Sequence, residues 1–576
     1  MANYPALFVI FLFFSAIVGL IRFQNQPEKV FGVIMLVLYG TNLVTTEQVI
    51  ASFANKGLLT LILLMVCSLA LEKTKLLRLI TTFVVKPSYK LTWLRLYGLT
   101  ALSSGFLNNT AVVSTMLSPI RNNPHHAASK LLLPLSYAAI LGGTLTLVGT
   151  STNLIVNSMV LDTGLPPLRF FDFTLIGSLL VLGCGALLYF LSRWLPYHPK
   201  SENTATDYFI DAKVLPDSTL IGKTIEANGL RNLESLFLVE IVRQGRLISP
   251  VSPYETIQED DRLLFSGDIK KVTLLNHFDG LSLFAHENGL PLSNLTEVVI
   301  RPESILAGKT LKKAGFRALF DAAVVAMKRD GESVSGKLGE TELKPGDYLV
   351  LAVGEDFKSR HNLAKNFFFI SGVETEHLLN GKKELLATAG FFAAILLAAF
   401  DVIPLFQGML LLLGALLMTK CLYAGEILSR LPRQIWLIIS AALLLSQALM
   451  NTNALDFLNV FIANHQQTFT PLIGLITVYL LTWLLTELVT NNAAAALIFP
   501  IAYGLAVSLD SNPHSFIMAV AFGASASFVS PYGYQTNLMV YNAGQYRIND
   551  FIKIGLPMSV LYGGIVINAI LFFYGV

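Results

Sequence analysis

The chain has 576 residues, 53% of them apolar, with a mean hydropathy of +0.60 and a formal charge of +3. That composition excludes a single soluble domain of this size and makes a lipid bilayer the natural solvent. The net charge says little by itself, because 50 of the 79 Lys, Arg, Asp and Glu residues lie between His198 and Glu384, leaving 29 for the other 389 positions.

The chain therefore reads as membrane, soluble, membrane. A first transmembrane repeat covers 1–197, two small domains follow at 198–288 and 289–372, a linker spans 373–384, and a second transmembrane repeat covers 385–576. The start, Met-Ala-Asn-Tyr-Pro, lacks a basic n-region, and the apolar stretch runs on to Ile21 without a clear cleavage site, so it reads as a retained span rather than a signal peptide. Cys67, Cys184 and Cys421 stand singly in apolar segments and read as small buried hydrophobes, not as disulfides or metal ligands.

A spanning helix needs about 20 mostly apolar residues. In the first half such stretches fall at 5–21, 31–47, 56–71, 130–158 and 174–195, with an amphipathic basic stretch Glu72 to Lys90 and an interrupted apolar segment 92–120 between the third and fourth. The second half repeats the order: 386–402, 405–422, 434–450, a polar stretch 451–469, an interrupted segment 470–508, then 514–543 and 553–575. Each half thus reads as five spans plus one re-entrant hairpin. An odd span count makes the two halves inverted relative to each other.

The Lys/Arg distribution supports this sidedness. With the insert in the cytosol, Arg22, Lys29, Lys73, Lys75, Arg78, Lys86, Lys90, Arg95, Arg121, Lys130, Arg193, Lys420, Arg430, Arg433, Arg547 and Lys553 fall on the cytosolic side, and only Lys56 and Arg169 outside. The expected localisation is the plasma (inner) membrane, multi-pass, with both termini outside.

The interrupted segments carry paired motifs. GFLNNTAVVSTMLSP spans 105–119 and TELVTNNAAAALIFP spans 486–500; LVGTSTNLIVN spans 147–157 and SPYGYQTNLMVYN spans 530–542. From Asn109 to Asn153 is 44 residues, and from Asn492 to Asn537 is 45. Irregular backbone at membrane depth survives only where it is buried in protein or lines a wet cavity, and transporters build their substrate sites at such broken helices. Gly149, Thr150, Ser151, Gly523, Pro531 and Gly533 are the expected breakers. A helix N-terminus offers free N–H groups to an anion. An Asn adds an amide for an oxyanion and a carbonyl for a hard cation. The alternative for any one Asn is interhelical glue. Glu487, an intramembrane carboxylate, is open to three readings: carrier of a coupling proton, scaffold pairing, or a cap for the hairpin. His125 and His126 read as solvated loop residues.

The insert contains an 86-residue repeat. LIGKT at 220–224 recurs as LAGKT at 306–310, VEIVRQG at 239–245 as VAMKRDG at 325–331, and EDDRLLFSG at 259–267 as KPGDYLVLAV at 344–353. Gly222 and Gly308, Gly245 and Gly331, and Asp261 and Asp347 keep one register. Each copy is expected as a strand, a Gly-Lys-Thr turn into a helix, a hairpin around Arg-x-Gly and a final strand. No Gly stands five residues before Gly222 or Gly308, so Gly-Lys-Thr is not a phosphate loop.

The hairpin motifs resemble those of the divalent-anion/sodium symporters, which carry dicarboxylates, citrate or sulfate; Asn108-Asn109-Thr110 and Thr490-Asn491-Asn492 take the place of that family's Ser-Asn-Thr tips. The resemblance covers both membrane halves. It implies a dimerising scaffold and an elevator-type transport domain. It places substrate at Asn108, Asn109, Thr110, Thr152, Asn153, Thr490, Asn491, Asn492, Thr536 and Asn537, and sodium at Asn109, Gly149, Thr150, Thr486, Asn491 and Ser525. The Asn-Asn-Thr and Gly-Tyr-Gln-Thr-Asn variants look more like the branch associated with sulfate than the dicarboxylate carriers. The insert resembles two copies of the TrkA-C domain, the C-terminal ligand-binding domain of regulators of potassium conductance. That implies pairing with a second copy and a small-molecule or nucleotide effector, or a purely structural role in the dimer.

The resulting expectation is a membrane all-α transporter with a cytosolic α/β insert. It imports a divalent oxyanion, sulfate first and di- or tricarboxylates second, with sodium as coupling ion, no organic cofactor, no nucleic-acid partner and no enzymatic activity. A cation channel or potassium transporter regulated by its TrkA-C domains is the rival class. It predicts a Thr-Val-Gly-Tyr-Gly filter, whereas Tyr532-Gly533-Tyr534 is flanked by Pro and Gln.

Overall fold

A computed structural model describes residues 4–575 apart from 24–25, 75–82, 122, 198–208, 268–277, 284–294, 372–378, 457–461, 463–468 and scattered positions between 231 and 362. Lys75, Arg78, Gly245, Gly331, the 288/289 boundary and much of the 373–384 linker lie outside the described residues. The chain forms two compact units: Met1–Pro196 with His377–Val540 and Ile548–Val576, and Tyr197–Glu376 with Tyr541–Arg547.

The first unit is helical. Its first half runs Tyr4–Arg22, Pro27–Gly40, Thr46–Phe53, Lys56–Glu72, Tyr89–Ser104, Asn109–Arg121, Leu132–Gly143, Ser151–Asp162 and Thr174–Leu191. The second runs Lys382–Ala399, Leu405–Met418, Ala424–Arg430, Arg433–Asn451, Pro471–Leu488, Asn491–Ser508, Pro513–Ser525, Gln535–Ala543 and Ile548–Phe573. Seven helices among the described residues are long and apolar enough to cross a membrane: Tyr4–Arg22, Thr46–Glu72, Thr174–Trp194, Arg433–Asn451, Pro471–Leu488, Asn491–Ser508 and Ile548–Phe573.

Several expected spans are shorter or broken. The stretch 31–47 is a 14-residue helix, Pro27–Gly40, followed by a separate helix from Thr46. Asn42 takes the left-handed conformation (φ 57°), and Thr45 caps the new helix with a reciprocal Thr45/Gln48 bond pair, so the first helix cannot run on. The stretches 130–158 and 514–543 are each two helices with an irregular break, at 144–150 and 526–534. An added Cβ at Gly149 would lie 2.6 Å from the Gly143 carbonyl oxygen, a fold-back that a continuous helix has no room for.

Packing between the halves is reciprocal. Pro27–Gly40 packs on Arg433–Asn451, while Leu405–Met418 packs on Lys56–Glu72. At one end of these helices Lys73 meets Glu426 at 2.6 Å, and Arg430 meets Glu72 at 3.2 Å. Lys73 and Arg430 are two of the basic residues assigned to a single side from the sequence. His126 is half-buried rather than solvated: its Nε2 lies 2.7 Å from the Lys86 carbonyl oxygen and its ring stands edge-on to Tyr89. All three cysteines are free and buried.

The second unit holds two five-stranded antiparallel sheets. One has the order β3-β2-β4-β1-β5, with β1 Phe209–Val214, β2 Leu236–Arg243, β3 Arg246–Ile248, β4 Arg262–Gly267 and β5 Leu281–Leu283. The other has the order β10-β6-β9-β7-β8, with β6 Leu295–Ile300, β7 Ala322–Arg329, β8 Glu332–Ser333, β9 Tyr348–Val353 and β10 Phe367–Ser371. The repeat extends to side-chain chemistry. Arg243 Nε meets Asp261 Oδ1 at 2.8 Å, as Arg329 Nε meets Asp347 Oδ1 at 2.7 Å, and both carboxylates are buried. The expected helix directly after Gly-Lys-Thr is not formed. Thr224 bridges Thr256 and Thr310 bridges Glu342, after Gly222 (φ +79°) and Gly308 (φ +76°), and the chain then runs through turns at 225–230 and 311–315. Further on, the second copy forms a short helix, Phe316–Phe320; the matching positions of the first copy, 230–234, lie largely outside the described residues.

Candidate functional site

Each interrupted segment is a helical hairpin, Tyr89–Ser104 with Asn109–Arg121 and Pro471–Leu488 with Asn491–Ser508. Both second helices begin on an Asn, and a hydroxyl five residues earlier fixes that Asn in the same way. Ser104 Oγ lies within hydrogen-bond reach of both Asn109 Oδ1 and the Ala139 carbonyl. Thr486 Oγ1 lies 3.0 Å from Asn491 Oδ1 and 2.8 Å from the Ala524 carbonyl. A hydroxyl has one proton, so in each case it donates to one of these oxygens at a time. Asn109 therefore matches Asn491, and the structural spacing to Asn153 and Asn537 is 44 and 46 residues rather than 44 and 45. Gly143 makes room for the first of these arrangements, since a Cβ there would sit 2.8 Å from the Asn109 amide nitrogen.

The breaks are also held alike. Asn153 Nδ2 donates to the Thr146 carbonyl at 3.0 Å, and Asn537 Nδ2 to the Ser527 carbonyl at 2.9 Å. Both side chains are buried, so these two Asn residues hold the unwound backbone in shape. In the second half Glu487 adds a clamp: its carboxylate accepts the Phe528, Val529 and Ser530 backbone N–H groups at 2.9, 2.9 and 2.7 Å. Of the readings left open for Glu487, the arrangement seen is a cap, applied to the break rather than to the hairpin. Ser525 Oγ donates to Ala521 within its own helix.

The tips and breaks join across the halves. Thr110 Oγ1 donates to Gln535 Oε1 at 3.1 Å, and Ser151 Oγ donates to Asn492 Oδ1 at 3.0 Å. Ser136 Oγ lies 2.9 Å from Thr536 Oγ1 and 2.7 Å from Asn537 Oδ1. Asn109 Nδ2 donates to Tyr534 Oη, which also lies 3.4 Å from Thr150 Oγ1. Asn108 Oδ1 accepts the Thr110 N–H at 2.9 Å and shapes the first tip. The four motifs are thus one cluster. Within it Thr152 Oγ1, Thr490 Oγ1, Asn491 Nδ2 and Ser527 Oγ are buried with no hydrogen-bond partner, donors and acceptors left over for a ligand.

Sequence reasoning missed Ser104, Ser136 and Tyr534. Ser104 was recoverable, because it stands five residues before Asn109 as Thr486 stands before Asn491. Ser136 carries no local signal, and Tyr534, although part of the Gly-Tyr-Gln-Thr-Asn motif, has nothing local that marks it as a partner of Asn109.

Residues 27–514, most of the membrane halves and the whole insert, match the family described as CitMHS, citrate transporter. The chain belongs to that family. It is accordingly a secondary anion transporter and not an enzyme. It is 32% identical to a putative sulfur deprivation response regulator of Chlamydomonas reinhardtii over 91% of this chain and 94% of that one. An uncharacterized transporter of Synechocystis sp. is 30% identical over 92% and 90% of the two chains. Sodium/sulfate cotransporter 1 of Chlamydomonas reinhardtii is 31% identical over 63% of this chain and 43% of its own.

Proposed function

We infer that this transporter imports a divalent oxyanion, sulfate first, by symport with sodium. The observation that carries the reading is the single cluster formed by both hairpin tips and both breaks, with four buried polar atoms left unpartnered. Sulfate offers four oxygens, which suits an Asn amide and hydroxyl donors. The sodium/sulfate cotransporters among the Chlamydomonas relatives favour sulfate and sodium. The Asn109, Gly149 and Thr150 group and the Thr486, Asn491 and Ser525 group are the proposed sodium positions. Asn108, Thr110, Thr152, Asn153, Thr490, Asn492, Thr536 and Asn537 complete the proposed anion surroundings.

The proposal extends to architecture. The halves are inverted repeats whose hairpins re-enter from opposite faces, one part moves as an elevator against a dimeric scaffold, and the protein sits in the plasma membrane. The insert, read as two TrkA-C domains at 198–288 and 289–372, is cytosolic and takes a small-molecule or nucleotide effector. The reciprocal helix packing and the charge sidedness support this reading.

Proteoliposomes with an inward sodium gradient test the transport. Labelled sulfate uptake that collapses when sodium is replaced by choline is the expected result. Uptake indifferent to sodium, or uptake of citrate or succinate with none of sulfate, sinks the assignment in favour of the family's carboxylate carriers.

A further inference from the structure

The two tips are built alike but completed differently. Asn109 and Asn491 are equivalent, each placed by a hydroxyl five residues upstream. Thr150 and Tyr534 are equivalent as well, each standing immediately before the helix that follows its break, after Gly149 and Gly533. The long Tyr534 side chain reaches across to the first tip, and its hydroxyl accepts a hydrogen bond from the Asn109 amide NH2, one of that group's two donors. Thr150, in the mirror position, is too short to do the same for Asn491. Asn491 Nδ2 is left without a partner although the residue is only 5% exposed. A second asymmetry points the same way. Thr536 is met by Ser136, but the position equivalent to Ser136, counted back from the matched carbonyls of Ala139 and Ala524, is Ala521, and Thr152 Oγ1 is left unpartnered.

We propose that Tyr534 sets anion selectivity by occupying the first tip with its own oxygen, which engages an Asn109 N–H, so that the second tip, where Asn491 Nδ2 has no partner, is the open one and the site takes a compact oxyanion. A dicarboxylate carries two separated anionic groups and needs two donor sets, one of which Tyr534 Oη already fills. Buried donors left unpaired by a wrong substrate are what makes such discrimination strong. This rests on the transport reading above and adds to it the residue that decides the substrate's size and shape.

The test compares wild type, Tyr534→Thr, which copies the mirror position, and Tyr534→Phe, which keeps the ring and removes the oxygen. Each is purified, checked for monodispersity and assayed for sodium-driven sulfate uptake with succinate as competitor. In Tyr534→Thr the inhibition constant of succinate should fall about tenfold or more, because both tips become available. In Tyr534→Phe, which removes the oxygen and frees that Asn109 N–H, the inhibition constant of succinate should also fall, about fivefold, the worth of one hydrogen bond. Succinate inhibition of Tyr534→Thr equal to wild type overturns the role of Tyr534 alone. A wild type that takes up none of sulfate, succinate and citrate overturns the transport reading and this one with it. Should Tyr534→Thr fail to purify, a Tyr534→Phe protein inhibited by succinate no more than wild type is sufficient to reject the proposal.

Discussion

Among single residues, Gly143 is the glycine packed directly against the Asn109 side chain of the first tip. Its missing Cβ is the space into which the Asn109 amide packs, at 2.8 Å from where that carbon would stand. The Asn109 amide is also held from the other side by Ser104 and Tyr534, so it has little room to give way. Gly143→Ala should lower sodium-driven anion uptake about tenfold, corresponding to roughly 1.4 kcal/mol, with expression and thermal stability nearly unchanged. Uptake at the wild-type rate would show that the first tip tolerates displacement. The sequence indicated Asn109 through its doublet, but nothing local marked Gly143 as its neighbour.

For the elements, the question is what keeps an unwound segment in shape within an apolar unit. In the second half Glu487 answers it with three backbone N–H bonds over the Phe528 to Ser530 stretch. The first half has Gly105 at the matching position, counted from Asn109 and Asn491, and there the Thr146 hydroxyl bonds the Gly105 carbonyl. Glu487→Ala orphans three donors at once, each costing about 1–3 kcal/mol when left buried and unpaired. The expected outcome is a protein that loses its thermal transition or melts far lower in detergent, with the conservative Glu487→Gln intermediate because it keeps two acceptor lone pairs. A Glu487→Ala protein as stable as wild type but inactive would instead favour the coupling-proton reading. In the insert the equivalent device is the Arg–Asp pair, and there the sequence was informative. Asp261 and Asp347 kept register over 86 residues, and each is found buried against its own Arg. The expected helix after Gly-Lys-Thr is a run of turns instead, with Thr224 and Thr310 tied to Thr256 and Glu342.

For the whole molecule, the sidedness argument makes a direct prediction. Lys56 and Arg169 are exposed, as are Arg22 and Arg193. Cysteines introduced at Lys56 and Arg169 should react with a membrane-impermeant maleimide on intact cells, and those at Arg22 and Arg193 only after permeabilisation. The native cysteines are buried and should contribute little background. Equal labelling at Arg169 and Arg193 from one side would break the inverted-repeat reading, because Thr174–Leu191 lies between them.

Composition, apolar run length and the recurrence of motifs were enough to identify a membrane chain with two like halves, a charged insert and four candidate turns. Those properties are local or periodic, and a linear sequence displays them directly. Where each polar group finds its partner was decided only by the tertiary structure. Asn109 meets Tyr534 across 425 positions of chain, and Ser136 meets Asn537 across 401. Contacts of that range depend on how two helical halves are brought together, which no window of sequence encodes. The same long-range pairing separates two nearly identical tips into one that is already filled and one that is open.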